Sequence, residues 1–206
     1  MADDTRRRKV FAVLAGGLVL GVGAAVTLAA WNDSEFVTGD FAAGAFNLEG
    51  STTGADAGYD EHPDAASAAD LVFDLPADLV DNLAPEDTVY APFWVRLDDT
   101  TTTAATLVAD STVAGTGANA ANLSYTVYEI PAAGTCDAAT VAAAPVVASG
   151  ATLTAITVGD SVDLAIGTTA GEAGAPAQLC FEVTAGADLV ESETATATWS
   201  FTATSN

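Results

Sequence analysis

The 206-residue sequence predicts an all-β protein, an antiparallel β-sandwich of the jelly-roll or immunoglobulin-like kind, preceded by an N-terminal apolar signal helix. Three observations carry this expectation. Past residue 30, apolar and polar residues alternate in short runs broken by Gly, Pro and Asp, which is the two-residue period of strands. No 3.6-residue period survives there beyond weak Ala-rich hints at residues 64–71 and 138–144. Before residue 30, the cluster Arg6, Arg7, Arg8 and Lys9 leads into a run, residues 10–30, that holds no charge.

That opening has the basic and apolar regions of an export signal. About 20 apolar residues at 1.5 Å each would also span a bilayer, so an uncleaved anchor with its basic end on the cytoplasmic side is the alternative. Gly16, Gly17, Gly21 and Gly23 weaken the helix, which favours the cleaved signal. Signal peptidases need small side chains one and three residues before the cut. A cut between Ala29 and Ala30 places Ala29 and Thr27 there, whereas a cut after Ala30 places Leu28 at the third position. The expected division is therefore 1–29 as signal or transmembrane segment and 30–206 as one domain.

The junction Ala29, Ala30, Trp31, Asn32, Asp33, followed by Thr38, by Phe41, Ala42, Ala43, Gly44 and by Leu48, resembles the alternate signal peptide and mature N-terminus of the TasA/camelysin-like family. The likeness covers residues 29–48. It implies export through a dedicated SipW-type signal peptidase, a jelly-roll-type sandwich, and assembly into fibres in which the freed N-terminus of one subunit adds as a strand to the next. Camelysin-like relatives are often labelled metallopeptidases.

Along the mature chain, residues 37–49 read as extended chain interrupted at Gly39 or at Ala43 and Gly44, because Phe36, Phe41 and Phe46 fall five apart and cannot share one strict alternation. Residues 50–70 turn to Gly, Ser, Thr, Asp and Ala and predict a long surface loop. Leu71, Phe73 and Leu75 share the face of a short strand; residues 83–87 form a turn; and residues 88–97 form a β-rich run whose middle Pro92 demotes to an edge or bulge. Further strands are predicted at residues 104–109, 123–127, 162–166 and 179–183. The plainest is the last, where Ala195, Ala197, Trp199, Phe201 and Ala203 alternate with Thr and Ser.

Of five Lys and Arg residues, four lie at positions 6–9, and only Asp3 and Asp4 among 28 carboxylates precede the cut. The mature chain thus sets Arg96 against 26 carboxylates, a net charge of −25, which argues against nucleic acid or anionic lipid as partner of the domain. Membrane contact is expected only through the N-terminal segment. Absence of Lys beyond Lys9 rules out Lys-based covalent welds between subunits. Cys136 and Cys180 are expected to bridge in an oxidising setting, and Arg96 to pair with a carboxylate across a sheet.

No catalytic constellation is present. The sequence lacks His-Glu-x-x-His, Gly-x-Ser-x-Gly and any phosphate-cradling Gly loop, and His62 alone cannot make a zinc site, so the peptidase label of the relatives finds no ligands here. No cofactor is expected beyond Ca²⁺, for which Asp98, Asp99 and Asp110 are weak candidates, as are Asp56, Asp60, Glu61 and Asp64. Neither set has EF-hand spacing, and a solvated acidic surface explains both. Tyr90, Phe93, Trp94, Tyr125, Tyr128, Trp199 and Phe201 would serve a sugar platform but fit core packing better.

The favoured function is a non-enzymatic, exported surface or matrix protein that self-associates, with the signal peptidase as its partner during export. Trp31, Asn32, Asp33, Phe36 and Phe41 are the expected assembly strand, Trp31 and Phe41 as pocket anchors. One alternative is that residues 30–49 form the domain's own first strand in a monomer; another is a secreted module binding a glycan or divalent cation.

Overall fold

The computed structural model describes residues 2–27, 35, 37–39, 43–75 and 83–206. The chain divides into two compact units, residues 1–42 and 43–206.

In the first unit, helix α1 runs Ala2–Thr27, with Asp3 and Asp4 in its first turn where the helix dipole favours carboxylates. Arg7 lies 5.7 Å from the ring of Phe11, four residues on. Among the described residues, no helix is long and apolar enough to cross a membrane. Ala29, Ala30, Trp31, Asn32, Asp33, Phe36 and Phe41, which carry the expected cleavage site and assembly strand, lie outside the described residues.

The second unit contains two antiparallel sheets. The strands are β1 (Leu48–Ser51), β2 (Thr88–Leu97), β3 (Ala105–Thr116), β4 (Leu123–Ile130), β5 (Val146–Gly150), β6 (Thr157–Val158), β7 (Val162–Leu164), β8 (Ala177–Ala185) and β9 (Thr196–Ser205). One sheet has the order β1-β2-β8-β4-β5-β6 and the other β7-β3-β9. Their inner faces share one core: Val89, Val95 and Leu97 of β2, Leu179, Phe181 and Val183 of β8 and Val127 of β4 meet Ala105 and Leu107 of β3 and Val162 and Leu164 of β7. In each strand these residues sit at alternate positions, so the pleat turns one set toward the core and the intervening set to the other face. The arrangement is consistent with a β-sandwich.

Cys180 belongs to the opposite face of β8. It bonds Cys136 with a Cα separation of 5.3 Å, and with Ile130 and Val141 it forms a second, smaller cluster outside the main core. Helix α2 (Ala138–Val141) caps this cluster, its first turn fixed by Asp137, whose carboxylate accepts from the Thr140 N–H at 2.9 Å. A closed disulfide fits an oxidising environment.

Several expectations meet the structure in altered form. Residues 71–75 make no ladder; a single bridge joins Asp74 to Tyr90. Pro92 does not place β2 at an edge, since β2 lies between β1 and β8. The Tyr90 carbonyl accepts from Asp74, so the even-numbered residues of β2 turn their backbone groups away from β8, and at Pro92 that side has no strand because β1 ends opposite Trp94. A missing N–H therefore costs nothing there. The run at 104–109 continues to Thr116 through a bulge that sets residues 110–112 against Ser200 alone. The loop at 50–70 is partly built: Gly50 and Asp60 exchange both backbone hydrogen bonds, at 2.9 and 3.0 Å. β5 and β6 were not expected, and of the two helical hints only that at 138–144 yields a helix, one turn long.

Candidate functional site

The most distinctive feature of the domain is strand β9 and the cleft beside it. β9 ends the order β7-β3-β9, so among the described residues it pairs with β3 on one side and with no strand on the other. The opposing edges are short by comparison: β1, β6 and β7 have four, two and three residues against ten in β9. Long unpaired edges are templates for pairing with another chain.

Alternation along β9 gives its two faces different roles. Ala197, Trp199, Phe201 and Ala203 are half-buried and pack on the core, while Ser200, Thr202 and Thr204 are exposed. Trp199 meets the Tyr125 ring at 5.3 Å and the Phe181 ring at 5.1 Å, and Phe201 meets Phe181 edge-on at 6.1 Å. Among the described residues, Trp199 Nε1 is the buried side-chain polar atom with no hydrogen-bond partner. Burial raises the Tyr125 pKa. The Trp199 N–H works against that shift without reaching hydrogen-bond geometry, and the Tyr125 hydroxyl instead donates to the Ala155 carbonyl at 3.0 Å.

The two sheets part beside β9 to leave a cleft of about 880 Å³. Val89, Val95 and Phe181 line it from the six-stranded sheet, Ala197 and Trp199 from β9, and residues 62–66, 68–71, 73 and 75 along one side. Phe93, also at the cleft, is contacted edge-on by His62 at 6.3 Å. Gly50 faces Phe93 so closely that an added Cβ would lie 2.3 Å from the far end of its ring and would push that ring aside.

Arg96 pairs with a carboxylate as expected. Its Nε donates to Glu49 Oε1 at 2.6 Å across the β1–β2 ladder, and its guanidinium lies 3.7 Å from the Tyr59 ring centre. Burial pushes the Tyr59 pKa up, with the Arg96 charge opposing. This is a staple for the loop after β1, not a reactive site.

The Ca²⁺ candidates are spread out and already hydrogen-bonded. Asp98 sits in the β2–β3 turn, where its carboxylate accepts from the N–H and Oγ1 of both Thr100 and Thr101 and from Asn47 Nδ2. Burial acts to raise its pKa, but the bonds from Thr101, Thr100 and Asn47 outweigh that and hold it below the usual carboxylate range. Asp99 is its exposed neighbour in the turn. Asp110 lies in the β3 bulge and accepts from Ser200 and from Thr202, the latter at 2.8 Å. In the loop, Glu61 accepts from Asn47 Nδ2, Asp60 from the Glu61 N–H, and Asp64 from the N–H groups of Ala66 and Ser67. Among the described residues, no three metal-ligating side chains gather.

The remaining aromatic candidates are structural. Tyr90 donates to Glu182 Oε2 at 3.1 Å, and burial together with the Glu182 charge pushes its pKa up to about 12. Tyr90 and Tyr128 pack against the disulfide cluster, and Trp94 Nε1 donates to the Ala132 carbonyl at 2.8 Å. No protein-family model matches the chain, and no curated protein matches it.

Proposed function

We propose that this chain is an exported, non-enzymatic surface or matrix protein that assembles by strand addition, the freed N-terminal segment of one copy pairing with the open edge of β9 in the next. The observation that carries this reading is a ten-residue strand that, among the described residues, has no partner on one side and is bordered by a cleft lined in part by Val89, Val95, Phe181 and Trp199. Strand addition needs both parts: a backbone ladder for affinity and pockets for alternate side chains.

The proposed occupant is a second copy's residues 30–41. At about 3.3 Å per residue an extended segment of this length matches β9, and it carries Trp31, Phe36 and Phe41 as apolar anchors. Ala45 bridges Thr101 and β1 follows at Leu48, so the proposed donor segment lies just ahead of the first described pairing of the domain. Export as a cleaved signal, with peptidase action freeing the segment, completes the reading and follows the resemblance to TasA/camelysin-like proteins. We read the fold as jelly-roll-type, because the disulfide lies on the outer face of one sheet and does not cross the core as the immunoglobulin bridge does.

The test is intact mass and N-terminal sequence of the exported protein, then sizing of the same material at rising concentration with and without Ca²⁺. A start at Ala30, and polymers that vanish when residues 30–37 are deleted, support the proposal. A start at Met1 makes the chain an anchored domain, and a monomer at all concentrations favours a secreted binding module.

A further inference from the structure

The cleft is not empty on its outer side. Residues 63–66, 68–71, 73 and 75 run along it, facing the same space as Ala197, Trp199 and Phe201. Their attachment is slight. Leu71 and Phe73 pack against the core but are only partly buried, Val72 between them is 74% exposed, and Leu75 is 36% exposed. Hydrogen bonds at Asp64, from Ala66 and Ser67, are local to the segment. Among the described residues, one hydrogen bond joins residues 62–75 to a sheet, from the Asp74 N–H to the Tyr90 carbonyl at 3.1 Å.

Charge adds to this. Asp64, Asp70 and Asp74 sit on a domain whose sole Lys or Arg is Arg96, so the segment docks against like charge. Four half-buried side chains, Leu71, Phe73, Ala69 and the His62 ring on Phe93, with one backbone bond to a sheet, are the attributes of a unit that opens locally, well below the free energy of global unfolding.

We propose that residues 62–75 are a self-capping segment, which shields the acceptor cleft in the unassembled chain and swings away before a donor strand engages β9. The proposal rests on the strand-addition reading. It explains how the apolar side chains of the cleft, Phe181 and Trp199 among them, stay covered before assembly, and it makes assembly an exchange of a weakly held local segment for a full-length strand.

The experiment is done on the exported chain below the concentration at which it polymerises. Leu71→Ala/Phe73→Ala removes the two apolar anchors, and Asp74→Pro removes the single sheet hydrogen bond with the anchors intact. Amide exchange, binding of the uncharged dye Nile red and thermal unfolding are read on each. A cap predicts at least about tenfold faster exchange confined to residues 62–75, new dye binding, and a Tm within about 3 °C of the parent. A fall of about 8 °C or more with β2 and β8 amides exchanging alongside would make the segment part of the cooperative fold and overturn the proposal. Unchanged exchange and no dye binding in both variants would overturn it equally. Because all three readouts come from monomer, failure of the parent chain to polymerise at high concentration counts against strand addition and leaves this result to stand on its own.

Discussion

Reduction of the Cys136–Cys180 bond should weaken the domain without dislodging the loop it ties down. The two cysteines are 44 residues apart in sequence. Closing a loop of that length removes unfolded-state entropy equivalent to about 4 kcal/mol at 25 °C in the chain-entropy description. In a unit of this size about 1 kcal/mol moves Tm by roughly 2–4 °C, so reduction should lower Tm by about 8–16 °C. The folded loop has other attachments: Trp94 Nε1 donates to the Ala132 carbonyl, and the Gln178 amide, with its nitrogen facing the loop, donates to the carbonyls of Pro131, Ala132 and Gly134 at 2.9–3.1 Å. These persist when the sulfurs part. The assay is urea unfolding of oxidised and reduced protein followed by Trp fluorescence, with amide exchange at residues 131–137. Reduction is preferred to Cys→Ala because Cys180 is fully buried, and truncating it would add a cavity cost. A loss under about 1 kcal/mol, or a loop that exchanges freely on reduction, would refute the reasoning.

Three further outcomes follow from the same geometry. Arg96→Leu removes the Glu49 pair and the stacking on Tyr59, and should cost about 1–2 kcal/mol in unfolding free energy with faster amide exchange at residues 50–60. Asp98 has a folded-state pKa below its unfolded value, so its contribution is present above the unfolded pKa and lost as pH falls through the folded one. Stability of the parent should therefore decline below about pH 4, and the decline should be shallower in Asp98→Asn when both are followed by acid titration of Tm. With a mature net charge of −25, Tm should rise as NaCl goes from about 0.01 to about 0.5 M, where screening shortens to a few Å; a Tm that falls with salt would contradict the role given to self-repulsion.

How much of this was legible in the sequence depended on whether a feature was local. β9 could be read residue by residue, because a strand with one buried and one wet face writes its period into the sequence, and Ala195 to Thr204 keep it without a break. The disulfide was legible by elimination, there being two Cys, and a lone cation beyond residue 9 foretold a carboxylate pair for Arg96 without singling out Glu49. Residues 71–75 have the pattern of a strand, yet Leu71 and Phe73 use it to cover a cleft, since among the described residues Asp74 alone of the five finds a backbone partner in a sheet. Pro92 marked the stretch of β2 beyond the end of β1, but the sequence does not show that β1 covers the rest of the strand. β5 and β6 lack aromatic or strictly alternating residues and exist through pairing with β4 and with each other. The cleft was invisible in the sequence: it arises from a three-stranded sheet set against a six-stranded one, and strand order is a long-range property.

The central claim is that β9 accepts a strand from another copy. Amide exchange across residues 196–204, compared between monomer and concentrated protein, tests it most directly. The account predicts that alternate β9 amides, those on the side away from β3, become strongly protected only on assembly, and lose that protection when residues 30–37 are deleted. Polymers whose β9 amides exchange as in the monomer would show that the copies meet through another surface, and would contradict it.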